Sequence, residues 1–398
     1  MYADDLILFS DSREDLQKQM DKLENYCKQW KLEINNKKTK VMIFNRGNKL
    51  INNTFVFKNV RIETVKIFKY LGFTITAKNC SFEKTVEDLS IKANRAIYAL
   101  NNKIKLSRLH TRLALKLYNS LIAPILLYGA EVWGPFIEQN FEKWDKNKVE
   151  QTHTQFIKRA LGCNITTSNI MARGEVGSRP LLVDVIIRTI SYWQDIQNRQ
   201  NSIVYEALEY EANNDVSPNF MTFIDKFEFD QNILTDFNKT KIKKTCNDYY
   251  ERLWKEEIDK SPKALSYKTY KMNIIIENYL YLVKHLKHKI ALSRFRLSNH
   301  NLLIEKGRHM IPKIERNQCV ICKTEIEDEL HFLIICPLYD EERATLFQQC
   351  RINSIHFDTT LNNQQKFIFI MSNECPIVVE NLAKYVFNSF KIRNTFLS

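Results

Sequence analysis

Cys319-x2-Cys322-x8-His331-x4-Cys336 is the stretch whose residue types and spacing restrict the chemistry most. Three thiols and an imidazole suit tetrahedral Zn²⁺; a Cys-x2-Cys pair fits a tight knuckle, and a following helix is expected to supply the second pair. Three of the nine cysteines fall here. That clustering favours a closed metal site over buried thiols beside an unrelated histidine, or over a redox pair. A second candidate lies at the other end, where Tyr2-Ala3-Asp4-Asp5 sets two carboxylates on a turn between apolar segments. Nucleotidyl transfer uses two divalent ions roughly 3.5 to 4 Å apart, and hard Mg²⁺ prefers carboxylate oxygens. Taken alone, adjacent aspartates are more often a solvated turn.

Charge points toward polyanions. The chain carries a formal +13, so its field attracts nucleic acid or acidic membrane surfaces. From Lys263 to Asn317, 12 Lys and Arg stand against Glu277, Glu305 and Glu315, a local +9 just before the cysteine cluster. Within it, Arg294-Phe295-Arg296 and then Arg308, Lys313 and Arg316 interleave cations with an aromatic ring, as suits a surface that grips phosphates and stacks on unpaired bases. His300 and His309 are read as packing or surface residues rather than spare metal ligands. The most apolar run, Leu121 to Ala130, is too short to span a bilayer and contains Pro124 and Gly129. With Asp4 and Asp5 where a leader would carry basic residues, no signal peptide is visible, so the chain is expected in the nucleus or cytoplasm with reduced thiols.

The elements that must position these groups follow from periodicity. Leu6 to Phe9 reads as a buried strand leaving the aspartates. Ser12 and Asp15 form the start of a capping box, and Leu16, Met20, Leu23, Cys27 and Trp30 recur on one helical face. Val41 to Phe44 and Ile67 to Ile75 read as strands. Beyond them Val86, Leu89, Ala93, Ile97, Leu100 and Ile104 mark an amphipathic helix, and Leu113, Leu117 and Leu121 begin another that Pro124 is expected to end. The polar stretch Asn213 to Ser217 before Pro218 is the best linker candidate.

In this order the motifs resemble the reverse transcriptases of non-LTR (LINE-like) retrotransposons. Tyr2-Ala3-Asp4-Asp5 with Leu6-Ile7-Leu8-Phe9 resembles their catalytic box. Leu32-Glu33-Ile34-Asn35 with Lys38-Thr39-Lys40 resembles the next palm motif, and Phe68-Lys69-Tyr70-Leu71-Gly72 the primer grip. Pro124 through Gly134 is similar to a thumb segment. The resemblance implies that Asp4 and Asp5 are catalytic and hold Mg²⁺, that Lys38 and Lys40 contact phosphate or nucleotide, and that Phe68, Tyr70 and Gly72 hold the primer end. It implies RNA and DNA as partners and no membrane. On residue types alone, Lys38 and Lys40 also fit a solvated charge run beside Lys37 and Arg46, and Phe68 and Tyr70 fit ordinary strand core. In the family a further metal-binding aspartate, the fingers and most of the palm precede the box, and nothing precedes Met1 here. The expectation is therefore a C-terminal portion, inactive as a polymerase alone, or alternatively a free-standing zinc-dependent nucleic-acid-binding protein.

The expected fold class is α+β. It comprises a palm-derived strand-helix-strand unit at 1–76, a helical thumb-like region at 77–212, a basic helical connector at 213–310, a Cys-Cys-His-Cys zinc module at 311–345 and a helical tail at 346–398. Cofactors are Zn²⁺, and Mg²⁺ only in a complete polymerase.

Overall fold

A computed structural model describes residues 4–45, 54–77, 82–137, 140–213, 238–307, 318–355, 357 and 360–397. The chain is α+β and forms two compact units, residues 1–88 and 89–398, with the boundary inside the helix Glu83–Ile104.

The first unit packs one helix on a small sheet. Ser12 caps the helix Arg13–Trp30, its side chain accepting from the Asp15 amide, and acidic residues fill the first turn, where the helix dipole favours them. Met20 and Cys27 from this helix, Val41 from strand β1 (Lys40–Val41), Phe55 and Phe57 from β2 (Phe55–Phe57) and Ile62 from β3 (Val60–Thr64) make the core. The order is β1-β3-β2, with β1 parallel and β2 antiparallel to β3. Lys58 and Asn59, both with positive φ (49° and 60°), close the β2–β3 hairpin, as a primed two-residue turn demands. Gln17 completes the edge strand: its amide donates to the Val56 carbonyl at 2.7 Å and accepts from the Val56 N–H at 3.0 Å. A second hairpin joins β4 (Ile67–Tyr70) to β5 (Phe73–Thr76).

Two expectations are corrected in this unit, and one element is new. Leu6 to Phe9 form no strand; Leu8 alone packs on the core, and Phe9 is 77% exposed. Trp30 is 61% exposed beside Tyr26. Its 18-residue helix is about 27 Å long, whereas the longest strand below it, five residues, covers about 17 Å. The hairpin β2–β3 went unforeseen because Phe55 to Phe57 is too short to show alternation.

The second unit is built of helices. Along Glu83–Ile104, whose first turns belong to the first unit, Val86, Leu89, Ala93 and Ile97 are buried as their spacing implies, while Ile104 is exposed. Pro124 does not end its helix. Thr111–Leu117 runs into a π-helical turn, Tyr118–Ile122, and then into Ala123–Leu126. The Ala123 N–H reaches back five residues to the Tyr118 carbonyl, and this wider turn accommodates a residue without an N–H. The buried face is consequently Thr111, Ala114, Tyr118 and Ile122, with Leu113 and Leu121 outside. Leu182–Gln197 packs on Lys239–Lys260, and Pro376–Leu397 packs on both Leu286–Arg296 and Asp340–Asn353. Of the expected linker only Asn213 is described, as the end of the helix Ile203–Asn213. Among the described residues no single helix is long and apolar enough to cross a membrane; the pair Thr111–Leu126 and Ala130–Phe136, bent by 54°, reaches that composition only jointly.

Gly174 sits at a tight point of this packing. A Cβ there would lie 2.8 Å from Trp254 and 3.0 Å from the Tyr267 hydroxyl; Trp254 donates its indole N–H to the Ile170 carbonyl, holding the ring in place. Gly174→Ala is expected to destabilise the unit by about 1 to 3 kcal/mol, read as a lower urea midpoint at unchanged slope. A midpoint equal to that of the parent would show that Trp254 has room to move.

Candidate functional site

Two local devices bring the four metal-type ligands together. The first pair sits on a knuckle in which the Lys323 N–H bonds the Cys319 carbonyl at 2.9 Å and the Cys319 N–H bonds the Glu325 carbonyl at 2.7 Å, with Lys323 at φ 56°. The second pair is five residues apart, and on an α-helix such residues point about 140° away from each other. Here His331–Ile335 is a π-helical turn closed by the Cys336 N–H to the His331 carbonyl at 2.8 Å. The extra residue per turn returns Cys336 to the side of His331. Asp328 starts the turn by accepting from the His331 N–H at 2.7 Å.

The four donor atoms lie within 4.8 Å of one another. Cys319 Sγ is 4.0 Å from Cys336 Sγ, and Cys322 Sγ is 3.3 Å from His331 Nε2. Tetrahedral zinc with Zn–S near 2.3 Å and Zn–N near 2.0 Å requires roughly 3.8 Å between sulfurs and 3.5 Å between sulfur and nitrogen, so the donor set fits the ion. On the far side of the imidazole the Glu325 carboxylate stands 3.5 Å from Nδ1, on the side from which a carboxylate orients a metal-binding histidine, but the buried Nδ1 makes no hydrogen bond. Cys319, His331 and Cys336 are buried and Cys322 is half-buried. Burial pushes the Cys336 thiol up to about 12, with the Cys319 and Cys322 charges adding to it. For Cys322 burial acts in the same direction, but hydrogen bonds from the Thr324 side chain and backbone, then Cys319, and the charge on His331 bring it down to about 6.

The site is anchored in the helical unit. Arg343 donates to the Leu333 carbonyl at 2.9 Å and the Cys336 carbonyl at 2.7 Å. Tyr385 donates to the Phe332 carbonyl at 2.6 Å, and the Phe332 ring meets Phe295, Tyr339 and Phe390 at 5.4, 4.7 and 4.6 Å. Arg393 forks onto Glu327 at 2.6 and 2.8 Å, both groups buried. These supporting residues carry no spacing signal in the sequence. Arg343, seven positions after Cys336, reads as an ordinary helix cation.

Of the polymerase-type residues, Asp4 and Asp5 are described and exposed, while Tyr2 and Ala3 lie outside the described residues. Lys38 is exposed on a turn in which Asn35 Oδ1 accepts from the Lys37 and Lys38 amides at 3.1 and 3.2 Å. Lys40 is ion-paired with Glu63 of the neighbouring strand at 2.6 Å. Phe68 and Tyr70 share one half-buried face of β4, and the turn beyond them places Leu71 at φ 46° and Gly72 at φ 88°.

The basic stretch divides. Arg294 is exposed and donates to the Gly162 carbonyl at 2.7 Å. Arg296, expected on the same phosphate-gripping surface, is buried: it pairs with Glu175, with Glu277 at 2.7 Å, and donates to the Met371 carbonyl at 2.7 Å. That placement corrects the expectation, because a guanidinium already saturated inside the core offers nothing to a ligand. His300 is likewise an interior residue, bonded to Glu329 at 2.9 Å. Arg46, Arg308, His309, Lys313 and Arg316 lie outside the described residues.

Residues 1–75 match the reverse transcriptase (RNA-dependent DNA polymerase) family. Over 172 residues, 42% of this chain, the sequence is 26% identical to a transposon-derived protein of Caenorhabditis elegans, and the alignment spans 57% of that protein. No solved structure matches the chain. The similarity to reverse transcriptases thus lies in residues 1–75, and that to a transposon-derived protein covers less than half of the chain.

Proposed function

We propose that this chain works as part of a LINE-like (non-LTR) retrotransposon reverse transcriptase, an RNA-directed DNA polymerase. In this reading the first unit contributes the end of the palm, and the helical unit is a thumb-like, zinc-bound holder of RNA and DNA. The reading is supported by one observation above others: the family match over residues 1–75 contains, in order, the Asp4-Asp5 box, the Lys38 turn and the Phe68–Gly72 hairpin. Asp4 and Asp5 would hold divalent ions, which when bound activate the primer hydroxyl and neutralise the leaving pyrophosphate. Lys38, exposed and on a turn, would take phosphate. The hairpin's half-buried Phe68 and Tyr70, with the tight Leu71-Gly72 turn, form a stiff edge against which a primer end can rest.

Among the described residues no third ligating side chain joins the Asp4-Asp5 pair, and a two-metal site needs more than two carboxylates on one turn. The chain alone is therefore expected to give only background extension on a poly(rA)–oligo(dT) template-primer with Mg²⁺ or Mn²⁺. Joined to a polymerase segment that supplies a further metal-binding carboxylate, it is expected to extend, and Asp4→Asn or Asp5→Asn each to return it to background. Extension by the joined protein that is indifferent to both aspartates would remove the polymerase reading. Robust extension by the chain alone would show that its site is complete. A second reading, a zinc-dependent nucleic-acid-binding protein without catalysis, is favoured by the ligand cluster's anchorage wholly within the helical unit.

A further inference from the structure

Four stretches of the helical unit meet at one cationic face. The short helix Tyr279–Leu282 packs against both Thr111–Leu117 and Pro376–Leu397, and the last of these also lies along Leu286–Arg296. His110 stacks on Tyr281, ring centroids 5.8 Å apart and planes 19° from parallel, and Arg112 bears on the Tyr281 hydroxyl. Four residues on, His285 meets His288 at 5.1 Å, and His288 meets Phe387 at 5.0 Å. The Lys391 ammonium covers the Phe387 ring at 4.6 Å. Burial, then the charges of His285, Lys384 and Lys391, hold His288 below the ordinary histidine range, with Glu380 the opposing charge. The chain from Tyr281 to His285 reaches at most about 14 Å, so the two clusters are close neighbours.

An ordinary solvated face does not account for this arrangement. Lys287, with the buried Lys289, occupies the first turn of Leu286–Arg296, which holds no acidic residue and has no side-chain cap. Cations oppose the helix dipole there, so helix stability does not explain them. Among the described residues no carboxylate pairs with Lys284, Lys287, Lys384 or Lys391, whereas Lys255, Lys260 and Lys268 are matched with Glu251, Glu256 and Asp259. His288 Nδ1 is buried without a hydrogen-bond partner.

We infer that this face, formed by His110, Arg112, Lys284, His285, Lys287 and Lys391, docks single-stranded nucleic acid, its unpaired cations taking phosphates and the exposed His110 ring stacking on a base. Cations interleaved with a flat exposed ring fit an unpaired strand, whose bases present π-faces. The inference deepens the nucleic-acid reading above and rests on it.

The test uses the full zinc-loaded chain and fluorescence anisotropy with a labelled 20-nucleotide single strand and its duplex. Lys284→Gln, Lys287→Gln and Lys391→Gln together are expected to weaken single-strand binding at least tenfold and to flatten the log-affinity against log-salt slope by about 2, near 0.7 per lost contact. Lys255→Gln, Lys260→Gln and Lys268→Gln, which remove the same charge, are expected to change affinity less than twofold. His110→Ala is expected to cut the preference for single strand over duplex about fivefold or more, the range for loss of one stacked base. Equal losses in the two triple variants would reduce the face to diffuse electrostatics. A parent that binds while the first triple variant binds as tightly would overturn the face alone. A parent that binds no strand would overturn the nucleic-acid reading as well. Phosphatidylserine vesicles displacing the strand at lower charge concentration than unlabelled strand would reassign the face to membranes.

Discussion

Removing the metal from the Cys319, Cys322, His331 and Cys336 site is expected to open the C-terminal part of the helical unit. Structural zinc in small fingers contributes about 10 to 16 kcal/mol near neutral pH, as much as the whole stability of a typical domain. Three of the donors are buried, and without the cation burial keeps the Cys336 thiol neutral, near a pKa of about 12. Losing the ion therefore leaves sulfurs and an imidazole facing one another with nothing at their centre. Phe332 lies inside the same turn and carries contacts to Phe295, Tyr339 and Phe390, so the disturbance spreads into the helices Leu286–Arg296 and Pro376–Leu397. The full chain is expected to release one zinc per molecule to a chromogenic chelator, and its melting temperature to fall by about 10 °C or more, since a unit of this size shifts by roughly 1.5 °C per kcal/mol and the ion contributes about 10 kcal/mol. Cys336→Ser, fully buried, is expected to cost more than Cys322→Ser, half-exposed. A purified chain without stoichiometric zinc, or one whose melting is unmoved by the chelator, would sink the assignment.

How far each feature was legible in the sequence follows from how local its cause is. The cluster of three thiols and an imidazole was readable because donor type and spacing sit within one short segment. The π-turn that makes a five-residue separation chelate was not, since no residue type announces a missing or extra residue per turn. Pro124 gave the opposite lesson: a proline reads as a helix end, yet the turn at Tyr118–Ile122 absorbs its missing N–H. Leu6 to Phe9 had the composition of a strand but forms no ladder. Composition reports an apolar preference, whereas a strand also needs a neighbour for its amides. Arg296 was the clearest misreading. A local charge excess counts cations without saying which way they point, and Arg294 and Arg296, two positions apart on one helix, lie on nearly opposite faces, one solvated and one buried.

Arg296 therefore leads to a prediction about stability in place of one about binding. Its guanidinium is shared by Glu175, Glu277 and the Met371 carbonyl and lies 4.7 Å from the Tyr270 ring and 5.1 Å from the Tyr279 ring. Glu175 is fully buried, whereas Glu277 has a second partner in Lys271. Arg296→Ala takes away the charge partner of Glu175, leaving it the Tyr267 hydroxyl at 3.1 Å, and orphaning one partner of a buried pair costs about 3 to 5 kcal/mol. Arg296→Lys is expected to rescue little, because one ammonium cannot reproduce a fork that serves three acceptors. Burial already raises the Glu175 pKa against the pull of Arg296, and without that pull it rises further. A carboxyl with a raised folded-state pKa loses stability as pH climbs above its unfolded value, so the deficit of Arg296→Ala should be widest near pH 8 and narrow toward pH 5. Adding Glu175→Gln to Arg296→Met removes the stranded charge and should recover part of the loss and flatten its pH dependence. Arg294→Ala, solvated and bonded to one carbonyl, should cost at most about 1 kcal/mol. Urea melts at the two pH values measure all of these. If Arg296→Ala melts like the parent while its affinity for a single strand drops, the buried placement is wrong and the arginine is a surface contact after all.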